Sequence, residues 1–407
     1  MFTLTILAVE FLDELVFGVE GAVLPVIRTE LALTYAQIGV LLSLPKLIGN
    51  VIEPALGILG DVWKRKVIIG GGGLMFALAT LLTALGQSFP ALLIAFIIFN
   101  PASGAFVSLS QATLMDLNPT RHEQMMARWT LSGSLGVVAG PLIVSAALAL
   151  NFGWRGLFAG LAVFTLILVW IVWRQPDLSG GGSLRSAPVG SRSTPEAERM
   201  GHAAEAPGAS QGARPASFAA GVRSALRALR NRNVLRWLAL LESADLLLDI
   251  FLGFIALYFV DVVLVTEAQA ALAVAVWSTA SLIGGALIIP LLERIRGLTY
   301  LRWSAVVTLG LYVALLLIPD VTVKYILLAC LGLSVSGWYA ILKGQLYSAM
   351  PGQSGISMAI SSISGVVAGL IPWGLGLVAQ RFGLPWMMAL LALGPISLLV
   401  GLPRETR

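Results

Sequence analysis

Carboxylates interrupt an apolar stretch near the start of this sequence, at a spacing that could move protons or bind cations. Glu10, Asp13 and Glu14 fall within one arc of about 100° if this stretch is a helix, because successive residues of an α-helix turn by about 100°. An ionisable side chain in mid-membrane costs about 2.5–3.5 kcal/mol on insertion scales, so its presence is a functional hypothesis by default. These three acids are predicted to line a watery cavity.

A second acidic set lies in a later apolar stretch and repeats the first. Glu242, Asp245 and Asp249 fall within an arc of about 60° on the same helical geometry. Lys46 and Glu53 are seven residues apart in another stretch and therefore share one face. A lysine–carboxylate pair would keep one acid ionised, whereas crowded acids without a partner retain protons more readily near neutral pH. The sequence thus predicts a net acidic cavity for protons or cationic cargo.

Other polar and aromatic side chains are candidates to line the same cavity. The aromatic ones could hold flat or greasy cargo, although interfacial anchoring or simple packing is the alternative for each of them. Lys343 could bind an anionic group or could extend to the membrane surface. The candidates are Phe17, Gln111, Trp277, Trp338, Tyr339, Lys343 and Trp373.

The apolar stretches themselves have the length and composition of membrane spans. Only 12% of the 407 residues are charged, against roughly 25% in soluble domains. Runs of 18 or more apolar residues are typical of transmembrane helices. We predict an all-α membrane protein with twelve spans near residues 4–27, 36–60, 67–86, 90–114, 127–149, 154–173, 234–260, 267–290, 300–318, 322–345, 355–378 and 385–402.

The spans divide into two groups of six around a polar segment. Residues 176–232 are rich in Gly, Pro, Ser and Arg and cannot bury enough apolar surface to fold, so they are predicted to be a mostly disordered linker. Near residues 218–232, apolar and basic residues alternate at helical spacing, which indicates a basic amphipathic helix on the membrane surface. The predicted halves are residues 1–175 and 233–407.

An internal repeat supports the two halves. At a constant offset of 232 residues, Glu10 matches Glu242 and Asp13 matches Asp245. Transporters built from two parallel six-helix halves bind substrate between the halves near the midplane. Most of the 26 Lys and Arg residues lie in the linker, the termini and the loops on the same side as residue 1. Because cytoplasmic loops carry the excess of basic residues, both termini are predicted to be cytoplasmic.

The loop after the second span resembles the cytoplasmic signature of the major facilitator superfamily. The stretch from Gly57 to Lys66 contains a Gly, three residues, an Asp and a basic cluster, although the usual glycine before the cluster is absent. In that family the acid and its basic neighbours brace two helices and tune the switch between inward-facing and outward-facing states. The resemblance implies this gating role for Gly57, Asp61 and Arg65.

Two further stretches are similar to the same family. Gly136, Gly140 and Pro141 match the core of its fifth-helix signature, which is associated with antiporters, although small-residue spacing also serves close packing. The stretch 33–42 looks like the start of the second helix in bacterial exporters of the fosmidomycin-resistance type. Asn100 stands where many proton-coupled members carry an arginine, so we do not expect coupling through that arginine, and Asn100 is a cavity-lining candidate.

Several other functions are not predicted. The single cysteine, Cys330, excludes an internal disulfide, and His122 and His202 have no metal-ligand spacing or catalytic partners. The glycine run at residues 70–73 lacks the Lys and Ser/Thr of a phosphate loop. We expect no metal, no cofactor, no enzymatic activity and no nucleic-acid partner.

The sequence predicts a secondary transporter that works by alternating access. The leading prediction is proton-coupled efflux of a small cationic or amphipathic compound from the bacterial cytoplasm across the plasma (inner) membrane, by a monomer, as is usual in the resembled family. Proton-coupled uptake of a metabolite or sugar, and movement of lipid or lysolipid, remain alternatives within the same class. A non-transporting membrane scaffold or receptor is the alternative from another class.

Overall fold

A computed structural model describes residues 2–62, 64–116, 122–175, 231–348, 365–366 and 368–403 of the chain. Every regular element in these ranges is helical. The predicted linker, residues 176–232, and the amphipathic helix near 218–232 lie outside the described residues except for their last two positions, 231 and 232. The division into two domains therefore stays a prediction.

Six helices precede residue 176. Their hydrophobic composition and length suit membrane spans, and α4 is continuous through a π-helical stretch at Gly104–Ser108. Their bounds are α1 Phe2–Glu30, α2 Tyr35–Val62, α3 Arg65–Leu85, α4 Phe89–Ser103 with Gly104–Ser108 and Leu109–Asp116, α5 His122–Ala149 and α6 Trp154–Arg174.

The described residues after 230 form six more spans. The α7 span contains a second π-helical stretch at Leu246–Ile250, and α10 is broken at Gly337, whose φ of 82° favours glycine. Their bounds are α7 Arg232–Asp245 with Leu246–Ile250 and Phe251–Asp261, α8 Glu267–Leu292, α9 Gly297–Leu317, α10 Val321–Val335 with Trp338–Ser348, α11 Ile371–Phe382 and α12 Leu384–Leu391 with Leu393–Gly401.

Ten of these helices are long and apolar enough to cross a membrane. The two others are exceptions with physical reasons. The α1 helix has 29 residues and is apolar, but it carries five acidic side chains, more than the other spans do. The described part of α11 has only 12 residues, because most of the predicted span 355–378 precedes the described helix.

The helix starts and ends define two faces of the bundle. Gln175 at the end of α6 contacts Thr5 near the start of α1, and Arg236 near the start of α7 donates to the Gly401 carbonyl at the end of α12. We call this the terminal face. The ends of α1 and α7 meet on the other side, where Arg28 binds Asp261, and we call that side the opposite face.

The closest described packing within the first six helices joins α1 and α5. A Cβ atom on Gly136 would lie 2.5 Å from the Phe11 carbonyl oxygen, and one on Gly140 would lie 2.7 Å from Gly18. Pro141 also lies against Gly18. Glycines therefore allow two helix backbones to touch, as in other membrane helix pairs. This contact lies inside the first six helices, so it supports the packing alternative for Gly136, Gly140 and Pro141.

One lysine at a helix start is buried inside the bundle. Lys324 lies in the first turn of α10 and is only 3% exposed. Its ammonium group donates to the Tyr258 hydroxyl at 3.0 Å and to the Leu315 carbonyl in the last turn of α9. A helix leaves its last carbonyls without partners, so Lys324 caps α9 from inside the protein.

Candidate functional site

The acids of α1 are held against α5 at a glycine. Glu10 is 8% exposed, and a Cβ atom on Gly133 would lie 2.6 Å from its Oε1 atom and 3.2 Å from Cγ of Glu14. Any larger residue at this position would meet the two carboxylate side chains. The absence of a side chain at Gly133 thus leaves room for both acids between α1 and α5.

Asp13 points from α1 towards α4. Its Oδ1 atom accepts a 2.8 Å hydrogen bond from Ser103, the last residue before the π-helical stretch of α4. Glu53 of α2 lies against Gly104, the residue after Ser103: a Cβ atom on Gly104 would lie 2.7 Å from the Glu53 Cγ atom. The charge of Glu53 acts on Asp13. The π-helical stretch widens the helix beside two carboxylates, a position common for such stretches at functional sites.

The acids of α7 face those of α1 across the bundle. Asp249 lies in the second π-helical stretch and is within electrostatic range of Glu14. Lys46 of α2 is within electrostatic range of Glu14, Asp245 and Glu20. The structure therefore brings both acidic sets and Lys46 together, with Lys46 as the cation between them.

A small central cavity of about 90 Å³ lies between the first and last six helices. It is lined by the α1 residues Phe17 and Glu20, by Lys46, and by Asp249 of α7. The Lys46 ammonium lies 5.7 Å from the ring centroid of Phe17, within cation–π distance. Asn100 of α4 also lines the cavity.

A vestibule of about 420 Å³ continues from the central cavity towards the terminal face. Glu242 and Asp245 from the first part of α7 face Tyr339 and Lys343 from the last part of α10. The Lys343 ammonium lies 5.8 Å from the Tyr339 ring centroid. Lys46, Asn100 and Asp249 line both spaces, so the two are continuous.

A third space, of about 830 Å³, lies between α5, α7 and α8. We call it the α5–α8 groove. Its walls are mostly apolar and include Trp277. The α5–α8 groove shares Val137, Asp249, Leu252 and Ser278 with the central cavity, and Asp249 lines all three spaces.

On the opposite face, a charged cluster joins α1, α2 and α7. Arg28 donates to both carboxylate oxygens of Asp261 at 2.9 and 3.0 Å. The Tyr35 hydroxyl donates to the same carboxylate at 2.8 Å, and the Arg28 guanidinium lies 4.3 Å from the Tyr35 ring centroid. A bidentate arginine–carboxylate pair is directional as well as attractive. We call these three residues the opposite-face cluster.

Backbone contacts close the same face. A Cβ atom on Gly39 of α2 would lie 2.6 Å from the Pro372 carbonyl oxygen, and one on Gly376 of α11 would lie 2.5 Å from the Tyr35 carbonyl oxygen. Ser43 accepts a 2.8 Å hydrogen bond from the backbone N–H of Trp373. In the described residues, the three spaces therefore lie on the terminal-face side of a closed opposite face.

Some predicted site residues lie elsewhere. Trp338 is fully buried and donates to Ser304 of α9 at 2.8 Å, so it packs among the last six helices. Trp373 is 43% exposed on α11. Gln111 contacts the Met126 sulfur between α4 and α5. None of these three side chains lines the spaces described above. Glu10, Asp13, Glu14 and Glu53 also lie outside the linings of these three spaces, because they are packed between α1, α2, α4 and α5.

The residues with an implied gating role lie at one loop. Gly57 and Asp61 belong to the last turns of α2, and the surroundings of their side chains are outside the described part of the structure. Arg65 begins α3 and is half-buried. Among the described residues, no group of three or more His, Cys, Asp or Glu side chains could hold a metal ion.

Glu20 and Ser278 are not among the site residues predicted from the sequence. Glu20 lines the central cavity. Ser278 directly follows the predicted cavity residue Trp277, and it lines two of the three spaces. The helical position of Glu20, two to three turns after Glu10 and Asp13, is the only signal for the first.

Long apolar helices around a polar core, with continuous spaces open towards one face, define a polytopic α-helical membrane transporter. The Major Facilitator Superfamily pattern matches residues 6–372, and the chain belongs to this family.

Curated relatives match over a part of their length. The chain is 27% identical over 164 residues to the fosmidomycin resistance protein of Escherichia coli (strain K12), covering 38% of this chain and 39% of that protein. It is 31% identical over 153 residues to a putative metabolite transport protein of Haemophilus influenzae, covering 37% of each. The matches thus span less than half of these relatives.

Solved structures share the fold along nearly the whole chain. A bacterial homolog of the human lysosomal transporter Spinster, in an inward-facing and unoccupied conformation, has a TM-score of 0.68 at 17% identity, covering 98% of this chain and 93% of that one. The nucleoside transporter NupG has a TM-score of 0.71 at 12% identity, covering 99% and 100%. At these identities the likeness establishes the fold.

Proposed function

We propose that the protein is a proton-coupled secondary transporter that exports a small cationic or amphipathic compound by alternating access. The observation that carries this proposal is the electrostatic contact between the two acidic sets. Glu14 of α1 is within electrostatic range of Asp249, which lines the central cavity, and Lys46 acts on acids of both sets. Carboxylates in a membrane interior are expensive to keep charged, so they favour protonation, a bound cation or a lysine partner.

In this proposal Lys46 acts as a built-in cation. Its charge acts on Glu14, Glu20 and Asp245 when no cargo is bound. A cationic cargo would compete with Lys46 and with protons for the same acids. The carboxylates would then bind either cargo or protons, but not both at once. Cargo taken up from one side of the membrane and protons taken up from the other would therefore be exchanged.

The proposed topology assigns each face of the bundle to one side of the membrane. The basic residues near the chain ends favour cytoplasmic termini, which makes the terminal face cytoplasmic. The closed opposite face then belongs to an inward-facing state. Export requires a second state in which the opposite-face cluster separates and the terminal face closes.

The test is a flux measurement on purified protein in liposomes that contain a pH-sensitive dye. A panel of organic cations, neutral drugs, sugars and lysolipids is added in turn. We expect proton movement with organic cations, and we expect Asp245→Asn to reduce it to the protein-free background because the acid can no longer exchange a proton.

Asp320→Asn is the matched control. Asp320 lies at the start of α10 and accepts a 2.8 Å hydrogen bond from the Val323 N–H, a cap that asparagine provides equally well. This variant loses a carboxylate outside the site and should transport normally. Sugar-dependent proton movement would favour uptake instead, and binding of cations without any flux would favour a scaffold or receptor.

A further inference from the structure

The α5–α8 groove has mostly apolar walls and a mostly apolar rim. The α7 residues Leu248 and Leu252 form its floor. Its rim is exposed: Leu131 of α5 is 54% exposed, Met126 is 45% exposed, and Ile289 of α8 is 67% exposed. These residues belong to the first part of α5 and the last part of α8, so the α5–α8 groove opens on the terminal-face half of the bundle.

The deep end of the α5–α8 groove is polar and belongs to the central cavity as well. Asp249 and Ser278 lie there, where the two spaces meet. Because the two spaces meet at Asp249 and Ser278, one elongated molecule can place a polar end beside Asp249 and an apolar end along the groove. The central cavity alone, at about 90 Å³, is smaller than the roughly 300–1,000 Å³ of typical ligand sites.

Ser278 carries a second, independent sign of a ligand. The residue is 5% exposed, and its hydroxyl has no hydrogen-bond partner among the described residues. Other buried hydroxyls in these helices, such as those of Thr80, Ser110 and Thr165, donate to the carbonyl four residues earlier. An unpaired hydroxyl in an apolar interior is unfavourable. Ser278 is therefore free to bind a polar group that arrives from either space.

We propose, resting on the transport function above, that the α5–α8 groove is the tail subsite for amphipathic cations. The hydrocarbon chain of the cargo lies between α5 and α8, and its ammonium group binds the Asp249 carboxylate and the Ser278 hydroxyl. Charge complementarity at the deep end and apolar walls along the remainder select a single-chain alkylammonium ion as the occupant.

The length of the hydrocarbon chain gives the first readout. Primary n-alkylammonium ions with four to twelve carbons are titrated into the protein in lipid nanodiscs, with empty nanodiscs subtracted. Burial of each methylene should raise affinity about threefold to fourfold until the α5–α8 groove is filled. Affinity that does not depend on chain length beyond the empty-nanodisc background would overturn the tail subsite.

Gly285 offers a variant that fills the groove with little strain. It lines the α5–α8 groove, and a Cβ atom there would meet nothing within 4 Å. Gly285→Leu should lower the affinity for dodecylammonium at least about tenfold, since several methylenes lose their site, and leave butylammonium unchanged. Gly310→Leu is the matched control, because Gly310 of α9 is exposed and also has nothing within 4 Å of an added Cβ.

Ser278→Ala separates the head group from the tail. Loss of the hydrogen bond between Ser278 and the ammonium group should lower the affinity for every alkylammonium ion about tenfold, whatever its chain length. Equal behaviour of Gly285→Leu and Gly310→Leu, or an unchanged head-group affinity in Ser278→Ala, would contradict the proposal.

The outcome also separates this proposal from the transport function. If proton-coupled flux of butylammonium persists while chain length has no effect, the transporter stands and the tail subsite fails. If chain length matters but no cation drives proton movement, the subsite stands and proton coupling fails. A tightly bound bilayer lipid that co-purifies with the native chain and is lost in Gly285→Leu, together with a flat chain-length series, would assign the α5–α8 groove to lipid and overturn the proposal.

Discussion

At the scale of single residues, glycine positions decide where the carboxylates of α1 can lie. Gly133 stands opposite Glu10 and Glu14, so its missing side chain is the space that those acids occupy. The contact atom closest to an added Cβ is the free end of the Glu10 side chain rather than a backbone atom. A substitution there should move an acid before it disturbs the helix pair.

Gly133→Ala should therefore separate function from stability. Alanine favours a helix over glycine by about 0.8–1.0 kcal/mol, which offsets the displacement of a flexible side chain, so the thermal unfolding midpoint should change little. The displaced Glu10 carboxylate should weaken cation-dependent proton movement in the liposome assay. Gly160→Ala is the control, since a Cβ there meets nothing within 4 Å. Normal flux in Gly133→Ala would mean that the position of Glu10 does not matter for coupling.

Which acids share a space could be predicted only in part. The helical period places Glu10, Asp13 and Glu14 on one arc, and the structure brings Glu14 of this set within electrostatic range of Asp249. The sequence does not reveal that Glu20 lines the central cavity, because its depth depends on where α1 ends. It also does not reveal that Lys324 turns inward to cap α9, because that depends on a neighbouring helix.

At the scale of elements, the twelve predicted spans correspond to helices wherever the chain is described. Long apolar runs determine them directly. The π-helical stretches in α4 and α7 carry no comparable pattern, since they differ from an α-helix by one inserted residue. One π-helical stretch lies beside Asp13 and the other contains Asp249. The helical period of the sequence therefore does not predict the local backbone geometry at either carboxylate.

The contact between α2 and α11 gives a prediction about the conformational state. At Gly39 an added Cβ meets backbone atoms of Pro372 and Trp373 at 2.6 and 2.9 Å, and a backbone cannot move aside as a flexible side chain can. Gly39→Val should therefore disfavour the closed opposite face. We expect a cysteine introduced at Ser43, which is 2% exposed and bonded to Trp373 of α11, to react faster with a membrane-impermeant maleimide in Gly39→Val than in the parent.

The control for that comparison lies on the same helix pair. Gly374 of α11 has nothing within 4 Å of an added Cβ, so Gly374→Val should leave the labelling rate of the cysteine at position 43 unchanged. Identical rates in the Gly39 and Gly374 variants would show that the close approach of α2 and α11 does not hold the opposite face shut.

At the scale of the whole molecule, the three spaces and the closed face form one arrangement. The contacts that join the first and last six helices in the described residues include the opposite-face cluster and the bond between Ser145 and the Ala268 carbonyl. Alternating access requires these contacts to break when the terminal face closes. Sequence analysis predicts such a cycle from the family resemblance but not which face is closed, because that depends on small energy differences between two packings of the same helices.

The opposite-face cluster should set the balance between the two states. Arg28 and Asp261 are partly buried, with side chains 25% and 20% exposed, and a hydrogen bond to a charged group contributes about 1.5–3 kcal/mol. Asp261→Asn keeps the shape of the side chain and removes its charge. Because 1.4 kcal/mol is a tenfold change in an equilibrium, this variant should raise the population open at the opposite face by about tenfold or more.

Spin labels at Leu150 and Leu264 can measure that population by pulsed electron resonance. Both side chains are exposed on the opposite face, at the end of α5 and just after α7, so the distance between them should lengthen when that face opens. Asp261→Asn should increase the long-distance fraction, and Asp320→Asn should not. Combining Arg28→Gln with Asp261→Asn should add little to the single variants, since both remove the same ion pair. Fully additive shifts would mean that the two residues act on separate contacts and that the opposite-face cluster is not a unit.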